Sequence, residues 1–171
     1  MRSKKKYTNQ TFTKRVDHEA GHVSKQRGSE PSICKECEAV YVNGRWTLDK
    51  EFLTKDPFNR IEAQTVICPA CQQVKSDIPA GFVYIKGEFF KNHKGEIENL
   101  LKNEEKKLSL TNPLARIMKF KTKKDRLTVT TTTEHLAQHL GRALQRAYNG
   151  DVRYDFSHEN KLARVYWERD T

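Results

Sequence analysis

Residues 34–37 read Cys-Lys-Glu-Cys and residues 68–71 read Cys-Pro-Ala-Cys, so the four cysteines form two C-x-x-C pairs separated by 30 residues. Two residues between thiolates let one tight turn present both sulfurs to a metal, and two such turns complete a tetrahedral set. A site of four thiolates is closed to substrate, which is typical of structural zinc. We therefore predict that one Zn²⁺ ion is bound by Cys34, Cys37, Cys68 and Cys71.

Iron is the main alternative for this site. Paired C-x-x-C turns, one with proline after its first cysteine, also resemble the iron site of rubredoxin, and thiolates accept iron in the same geometry. Rubredoxin, however, is a small acidic electron carrier, whereas this chain is longer and basic. Free or redox-active thiols are a third alternative, which the spacing disfavours.

The charge of the chain indicates a polyanionic partner. Its 171 residues include 32 Lys and Arg against 22 Asp and Glu, a formal net charge of +10. Nucleic acid is the first candidate for such a partner. The basic start at Met1 is not followed by the apolar stretch of a secretion signal, and no apolar run is long enough to span a membrane. We expect a cytoplasmic protein with reduced thiols and no membrane partner.

The composition divides the chain into three parts. Residues 1–33 contain eight Lys or Arg, three acidic residues and no sustained apolar period, so we expect a flexible basic arm. Residues 34–78 hold both cysteine pairs and form the predicted zinc ribbon, with short strands near Tyr41 and Trp46. Residues 79–171 show the periodicity of a second, α+β domain.

The periodicity of residues 79–171 predicts the order β-α-β-β-α-β-β. The strands are read from alternation at 82–85, 118–121, 127–131, 152–156 and 163–167, and Lys123-Lys124-Asp125 forms the tip of a hairpin. The first helix is read from the apolar spacing at 97–108. This order is a split βαβ, ferredoxin-like arrangement with one added strand, in which both helices cover one face of an antiparallel sheet.

The second helix has the clearest signals. Thr131 or Thr133 is the predicted N-cap, with Glu134 completing a capping box with Thr131. Asn149-Gly150 is a left-handed end signal. The predicted buried stripe consists of Leu136, Leu140, Ala143, Leu144 and Ala147.

One short motif suggests an enzyme. His18, Glu19 and His22 match H-E-x-x-H, in which two histidines bind zinc and the glutamate activates water. The flanking residues offer no apolar stripe to bury a helix, Gly21 weakens a helix further, and no third ligand follows. We therefore expect no catalytic activity, with a hydrolase as the least favoured alternative.

Several groups of cationic side chains are candidates for binding nucleic acid. A set near the hairpin and the second helix has the charge to contact phosphates, and the arm has the composition of a segment that orders on RNA. No helix-turn-helix, C2H2 finger or basic zipper is visible, so structured RNA fits better than a DNA operator. Exposed histidines and a merely solubilising charge are the structural alternatives. The candidates are Lys4, Lys5, Lys6, Lys14, Arg15, Lys119, Lys121, Lys123, Lys124, Arg126, His135, His139, Arg142 and Arg146.

The cysteine pairs occur together with short motifs that carry a family resemblance: Gly44-Arg45-Trp46, Pro79-Ala80-Gly81, Asn103-Glu104-Glu105, Asn112-Pro113-Leu114-Ala115-Arg116-Ile117-Met118, and Thr130-Thr131-Thr132 before Glu134-His135-Leu136-Ala137. On these residues the chain resembles a group of small bacterial zinc-ribbon proteins of unassigned function. The resemblance covers residues 30–171.

A more distant resemblance links that group to the ribosome. The cysteine pairs, the Thr-Thr-Thr helix entry and residues 143–150 are similar to the ribosome-binding part of the large-subunit export adaptor named for nonsense-mediated decay. This implies a protein that docks on the large ribosomal subunit or on ribosomal RNA. The adaptor carries more cysteine pairs and further domains, so an export role is not implied.

We therefore expect a zinc-stabilised RNA-binding protein that acts on the ribosome as an assembly, quality-control or dormancy factor, without a small-molecule substrate. A protein-interaction or regulatory module is the main alternative, in which the cationic surface is incidental. The sequence leaves the oligomeric state open.

Overall fold

The computed structural model describes residues 31–51, 63–157, 159 and 161–171 of the chain. Within these ranges the protein is α+β, with two β-sheets and three α-helices. No helix in these ranges combines the length and the apolar composition that crossing a bilayer requires.

The N-terminal sheet has four strands of three residues each, in the spatial order β3-β2-β1-β4. The first three pair antiparallel, whereas β4 runs parallel to β1. The pairing of β2 with β3 confirms the short strands predicted near Tyr41 and Trp46, and β1 starts inside the last two residues of the predicted arm. The strands are β1 (Ser32–Cys34), β2 (Val40–Val42), β3 (Arg45–Thr47) and β4 (Gln64–Val66).

Helix α1 (Pro69–Ser76) follows β4 and is not predicted by the cysteine spacing. Cys68 is its N-cap, and Pro69 occupies the first helical position, where a missing N–H costs no hydrogen bond. The helix ends at Asp77, which has a left-handed backbone. The second cysteine pair therefore lies on the first turn of a helix rather than on a second isolated turn.

The C-terminal sheet has five strands in the order β6-β7-β5-β9-β8. Its elements follow one another as β-α-β-β-α-β-β, which confirms the predicted order, and the hairpin tip lies at Lys124-Asp125 as expected. The elements are β5 (Gly81–Lys86), α2 (Glu88–Ser109), β6 (Ile117–Lys123), β7 (Arg126–Thr131), α3 (Glu134–Tyr148), β8 (Asp151–Ser157) and β9 (Leu162–Glu168).

The prediction of a fully antiparallel sheet is wrong at one pair, because β5 and β9 run parallel. The hairpin of β8 and β9 reverses the chain once more after α3, so the last strand rather than β8 enters beside β5. The burial of the side chains explains why β9, and not β8, lies beside β5. β9 carries Ala163, Val165 and Trp167, all fully buried, whereas β8 alternates Asp151, Arg153 and Asp155 toward solvent and suits an edge position.

Both helices cover the same face of this sheet, as predicted. Alternate side chains of the inner strands and the apolar stripes of α2 and α3 form one buried cluster. The largest of these side chains are Trp167, Phe90, Ile85, Ile97, Leu101 and Leu127, together with three leucines of α3. No helix of the described ranges covers the opposite face of the sheet, which is called the uncovered face below.

The ends of the two helices differ from the predictions in detail. Thr133 is the N-cap of α3, since its hydroxyl accepts a hydrogen bond from the backbone N–H of Leu136 at 3.2 Å. Thr131 instead donates to the carbonyl of Thr133, so the predicted capping box with Glu134 does not form. Ala147 is exposed, unlike the rest of the predicted stripe. Helix α2 begins earlier than predicted and kinks at His93.

Gly141 lets α3 approach β9 closely. A Cβ atom there would lie 2.5 Å from Cγ1 of Val165, whereas a Cβ at Gly95 of α2 meets nothing within 4 Å.

We predict opposite effects of the same substitution at these two glycines. Gly141→Ala should destabilise the fold by about 1–3 kcal/mol through overpacking, and Gly95→Ala should stabilise it by about 0.5–1 kcal/mol through helix propensity. Urea unfolding of the two variants measures both changes. A stabilising Gly141→Ala would contradict the close packing of α3 on β9.

Candidate metal centre and cationic surface

The four cysteine sulfurs come together at one point. All four Sγ atoms lie within 4.8 Å of one another, and those of Cys37 and Cys68 are 3.6 Å apart. A tetrahedral ion with metal–sulfur distances of about 2.3 Å places its sulfurs about 3.8 Å apart. A disulfide needs about 2.05 Å, and all four cysteines are free. The predicted ligand set is therefore assembled by the fold.

Two different backbone structures present the sulfurs. In the first pair, the N–H of Glu38 donates to the carbonyl of Cys34 at 2.8 Å, which closes a tight turn after β1. In the second pair, Cys68 caps α1 and its Sγ accepts a hydrogen bond from the N–H of Cys71 at 3.5 Å. The N–H of Cys68 in turn donates to Sγ of Cys34 at 3.3 Å, which links the two pairs.

Burial and backbone amides act in opposite directions on the thiols. Burial disfavours the thiolate of Cys34, yet the N–H groups of Cys68, Cys37 and Glu36 favour it and lower its pKa to about 6. For Cys71 burial dominates and raises the pKa to about 11, and burial also raises the pKa of Cys68. Four thiolates in one buried cluster need a cation to offset their mutual repulsion.

The donor set fits a soft divalent ion. Four sulfurs in tetrahedral reach suit zinc or iron, and hard cations such as Mg²⁺ or Ca²⁺ prefer oxygen. Three of the four cysteines are buried, so solvent does not compete for the site. The residues therefore fit a structural metal ion.

The cysteine cluster also contacts the C-terminal domain. Trp46 and Ile67 pack against it from its own unit, and Leu114 packs against it from the segment before β6. The side-chain amide of Gln73 donates to the carbonyl of Thr132 at 3.0 Å. An exposed ion pair between Lys119 and Asp77, at 2.7 Å, bridges β6 and the end of α1.

The cationic residues predicted near the hairpin line one open groove of about 920 Å³ on the uncovered face of the five-stranded sheet. The groove contains seven cationic and four acidic residues. Lys119 pairs with Asp77, and Lys86 pairs with Glu168 at 2.7 Å. In the described part of the chain, no ion pair is formed by Lys121, Lys123, Lys124 or Arg126, and these four also line the groove.

The four predicted residues of α3 lie on the other side of the sheet and do not extend that groove. His139 instead bonds Glu104 of α2 through Nε2 at 2.8 Å. The ammonium of Lys107 lies 2.7 Å from Glu104 and is the main cause of the lowered pKa of that buried carboxyl. Burial, and then the charge of Arg142, lower the pKa of His135. The hydrogen bond between His139 and Glu104 thus links α3 to α2. Arg146 lies in the last turn of α3.

The structure adds a row of aromatic side chains that the sequence analysis did not single out. Phe82 and Tyr84 of β5 and Tyr166 of β9 lie on the same uncovered face. Their signal is the strand alternation itself, because each sits one position away from a buried residue: Val83 or Val165.

The remaining predicted residues fall outside the described ranges. These are the cations of the basic arm, Lys4, Lys5, Lys6, Lys14 and Arg15, and the H-E-x-x-H residues His18, Glu19 and His22.

Comparison with protein-family models, with curated proteins and with solved structures found no match to this chain.

We predict that metal removal unfolds the N-terminal unit and spares the C-terminal domain. The two tryptophans report separately, because Trp46 packs on the cysteine cluster and the indole N–H of Trp167 donates to Asn149 in the other core. Chelation, or Cys71→Ser, should shift or broaden the Trp46 indole signal in a ¹H–¹⁵N spectrum and leave that of Trp167 in place. Ser76→Ala, on the exposed end of α1, is the control. An unchanged Trp46 signal after complete metal loss would contradict this role.

Proposed function

We propose that this chain is a zinc-stabilised, non-enzymatic RNA-binding protein of the cytoplasm, which associates with the ribosome through the large subunit or ribosomal RNA. The observation that carries the proposal is the groove on the uncovered sheet face, where four cations without acidic partners in the described ranges lie side by side. Such side chains contact phosphates without reading sequence.

We also propose a fold assignment for each of the two units. We assign the N-terminal unit as a zinc ribbon whose second cysteine pair caps a helix. We assign the C-terminal domain as a variant of the ferredoxin-like split βαβ, in which β7 lies between β5 and β6 and the added hairpin places a parallel strand on the other side of β5.

The ribosomal part of the proposal is supported by the resemblance to bacterial zinc-ribbon proteins and, more distantly, to the ribosome-binding part of the large-subunit export adaptor. A role in assembly, quality control or dormancy is compatible with that resemblance. The groove itself supports binding to RNA and does not choose among these roles.

Zinc is the proposed ion because the chain has no acidic, rubredoxin-like composition and its site is built as a closed structural centre. We predict that the purified protein is colourless and contains one zinc per chain, as measured by elemental analysis and an absorption spectrum. A red protein with visible absorbance and stoichiometric iron would show that the bound ion is iron and not zinc.

We predict that the protein sediments with ribosomal particles at low salt in a sucrose gradient. Reversing Lys123, Lys124 and Arg126 to Glu should weaken RNA binding at least about tenfold, and losing three phosphate contacts should lower the slope of log affinity against log salt by about 2. The matched control reverses Lys106, Arg142 and Arg146, which lie on the two helices. Circular dichroism checks that both triple variants are folded.

The ribosomal proposal is wrong if the full chain stays at the top of the gradient at low and at moderate salt and forms no cross-links to ribosomal RNA. Equal loss of binding in the two triple variants would mean that the groove is not the site.

A further inference from the structure

The uncovered face of the five-stranded sheet carries more than positive charge. Along β5 the side chains alternate, so that Val83 and Ile85 are buried under the helices and Phe82 and Tyr84 lie on the other face. β9 alternates in the same way and places Tyr166 beside Tyr84, its partner in the parallel register. Three aromatic rings therefore occupy the centre of a face that is not covered by any helix in the part of the chain that the structure describes.

These three rings form a continuous stack. The ring centroids of Phe82 and Tyr84 are 5.9 Å apart with planes 3° from parallel, and those of Tyr84 and Tyr166 are 5.0 Å apart at 18°. The guanidinium of Arg153 lies 4.5 Å from the Tyr166 ring and covers one end of the row. At the other end, Phe82 lines the cationic groove. The row thus ends in a π surface within a positively charged cleft.

The sheet register sets the cations beside that surface. Phe82 is paired with Thr130 on β7, and Thr130 is paired with Lys119 on β6. Two strand spacings, about 10 Å, therefore separate β5 from the lysine-bearing edge strand. Lys121 and Arg126 continue the same wall of the groove. A ligand with a flat, stackable ring and a negatively charged backbone matches both parts of this surface.

A polar group also lies in the floor of the groove. The hydroxyl of Thr130 is shielded from solvent and has no hydrogen-bond partner among the described residues, although it lines the groove next to Phe82.

We propose that this sheet face binds an unpaired nucleic-acid strand, with a base stacked on Phe82 as an extension of the Phe82–Tyr84–Tyr166 row and with its phosphates on the lysines of β6 and the hairpin. The inference rests on the proposed RNA-binding function and narrows it to single-stranded segments. Stacking on aromatic rings beside a cationic groove is sequence-tolerant, because every base has a π face. In a duplex those faces are stacked on neighbouring bases, so a duplex can be bound through its phosphates only and gains nothing from the aromatic rings.

A purely structural role for the row makes a different prediction. Aromatic pairs across neighbouring strands stabilise sheets, and lysines on an edge strand prevent edge-to-edge association. If the role is purely structural, loss of the Phe82 ring lowers the stability of the fold and leaves the affinity for nucleic acid unchanged. A measurement of that affinity therefore distinguishes the two roles.

The test uses fluorescence anisotropy of the full chain with a fluorescein-labelled oligouridine RNA of about 12 nucleotides, the same length of DNA, and an RNA duplex. We expect tighter binding to the single strand than to the duplex. Phe82→Leu, which keeps an apolar side chain without a π system, should weaken single-strand binding about 5- to 150-fold and leave duplex binding unchanged. Phe82→Tyr should restore the affinity. Phe120→Leu makes the same kind of change on the helix-covered face and is the control that should leave the affinity unchanged.

The outcomes separate this inference from the proposed function. Binding of RNA that loses affinity on charge reversal but not in Phe82→Leu overturns the stacking role and leaves the RNA-binding function standing. Failure of every nucleic-acid probe to bind overturns both. Equal affinity for the RNA and DNA strands, with a loss of both in Phe82→Leu, supports stacking and shows that the face accepts either backbone. A preference for RNA, with the same loss, supports RNA as the ligand.

Discussion

Burial of only one face of the five-stranded sheet is the constraint that organises this protein. Three valines, Ile85, Leu127 and Trp167 point from alternate strand positions toward the two helices, and burying each large apolar side chain contributes about 1.5–3 kcal/mol. Both helices are used on that one face. The other face must then carry side chains that tolerate water or meet a ligand, and it carries lysines, threonines and stacked aromatic rings. The candidate interface is a direct consequence of how the core is built.

The N-terminal unit depends on a different interaction. Its strands have three residues each, and the small buried cluster around its cysteines consists largely of the cysteines themselves, so apolar burial contributes little to its stability. A metal ion bound by the four converging sulfurs would supply what the apolar core lacks. The unit is also anchored, because Leu114 packs on the cysteine cluster and Gln73 bonds the Thr132 carbonyl. The cysteine cluster is thereby connected to the segment that immediately precedes helix α3.

The helix that begins at the cysteine cluster also reaches the cationic groove. Asp77, which ends the helix that begins at Cys68, lines the groove together with Pro79, and Asp77 holds Lys119 in an ion pair. An exposed pair of this kind adds little stability. Its position matters more, since the helix that begins at the cysteine cluster supplies one end of the groove. A metal ion bound by the cysteines would in this way shape the candidate interface without contacting the ligand.

Local patterns in the sequence determined the two C-x-x-C pairs that supply the sulfurs, the strand and helix order after Pro79, the basic hairpin tip and the positive-φ end of α3 at Asn149-Gly150. Each depends on neighbours within a few residues, so period and spacing suffice to predict it. Only the tertiary structure decided that β9 lies parallel to β5 and that Arg142 and Arg146 lie behind the sheet. It also brought Tyr166 beside Tyr84. These features depend on which distant strands pair and which face the helices bury, and long-range packing, not local propensity, sets both.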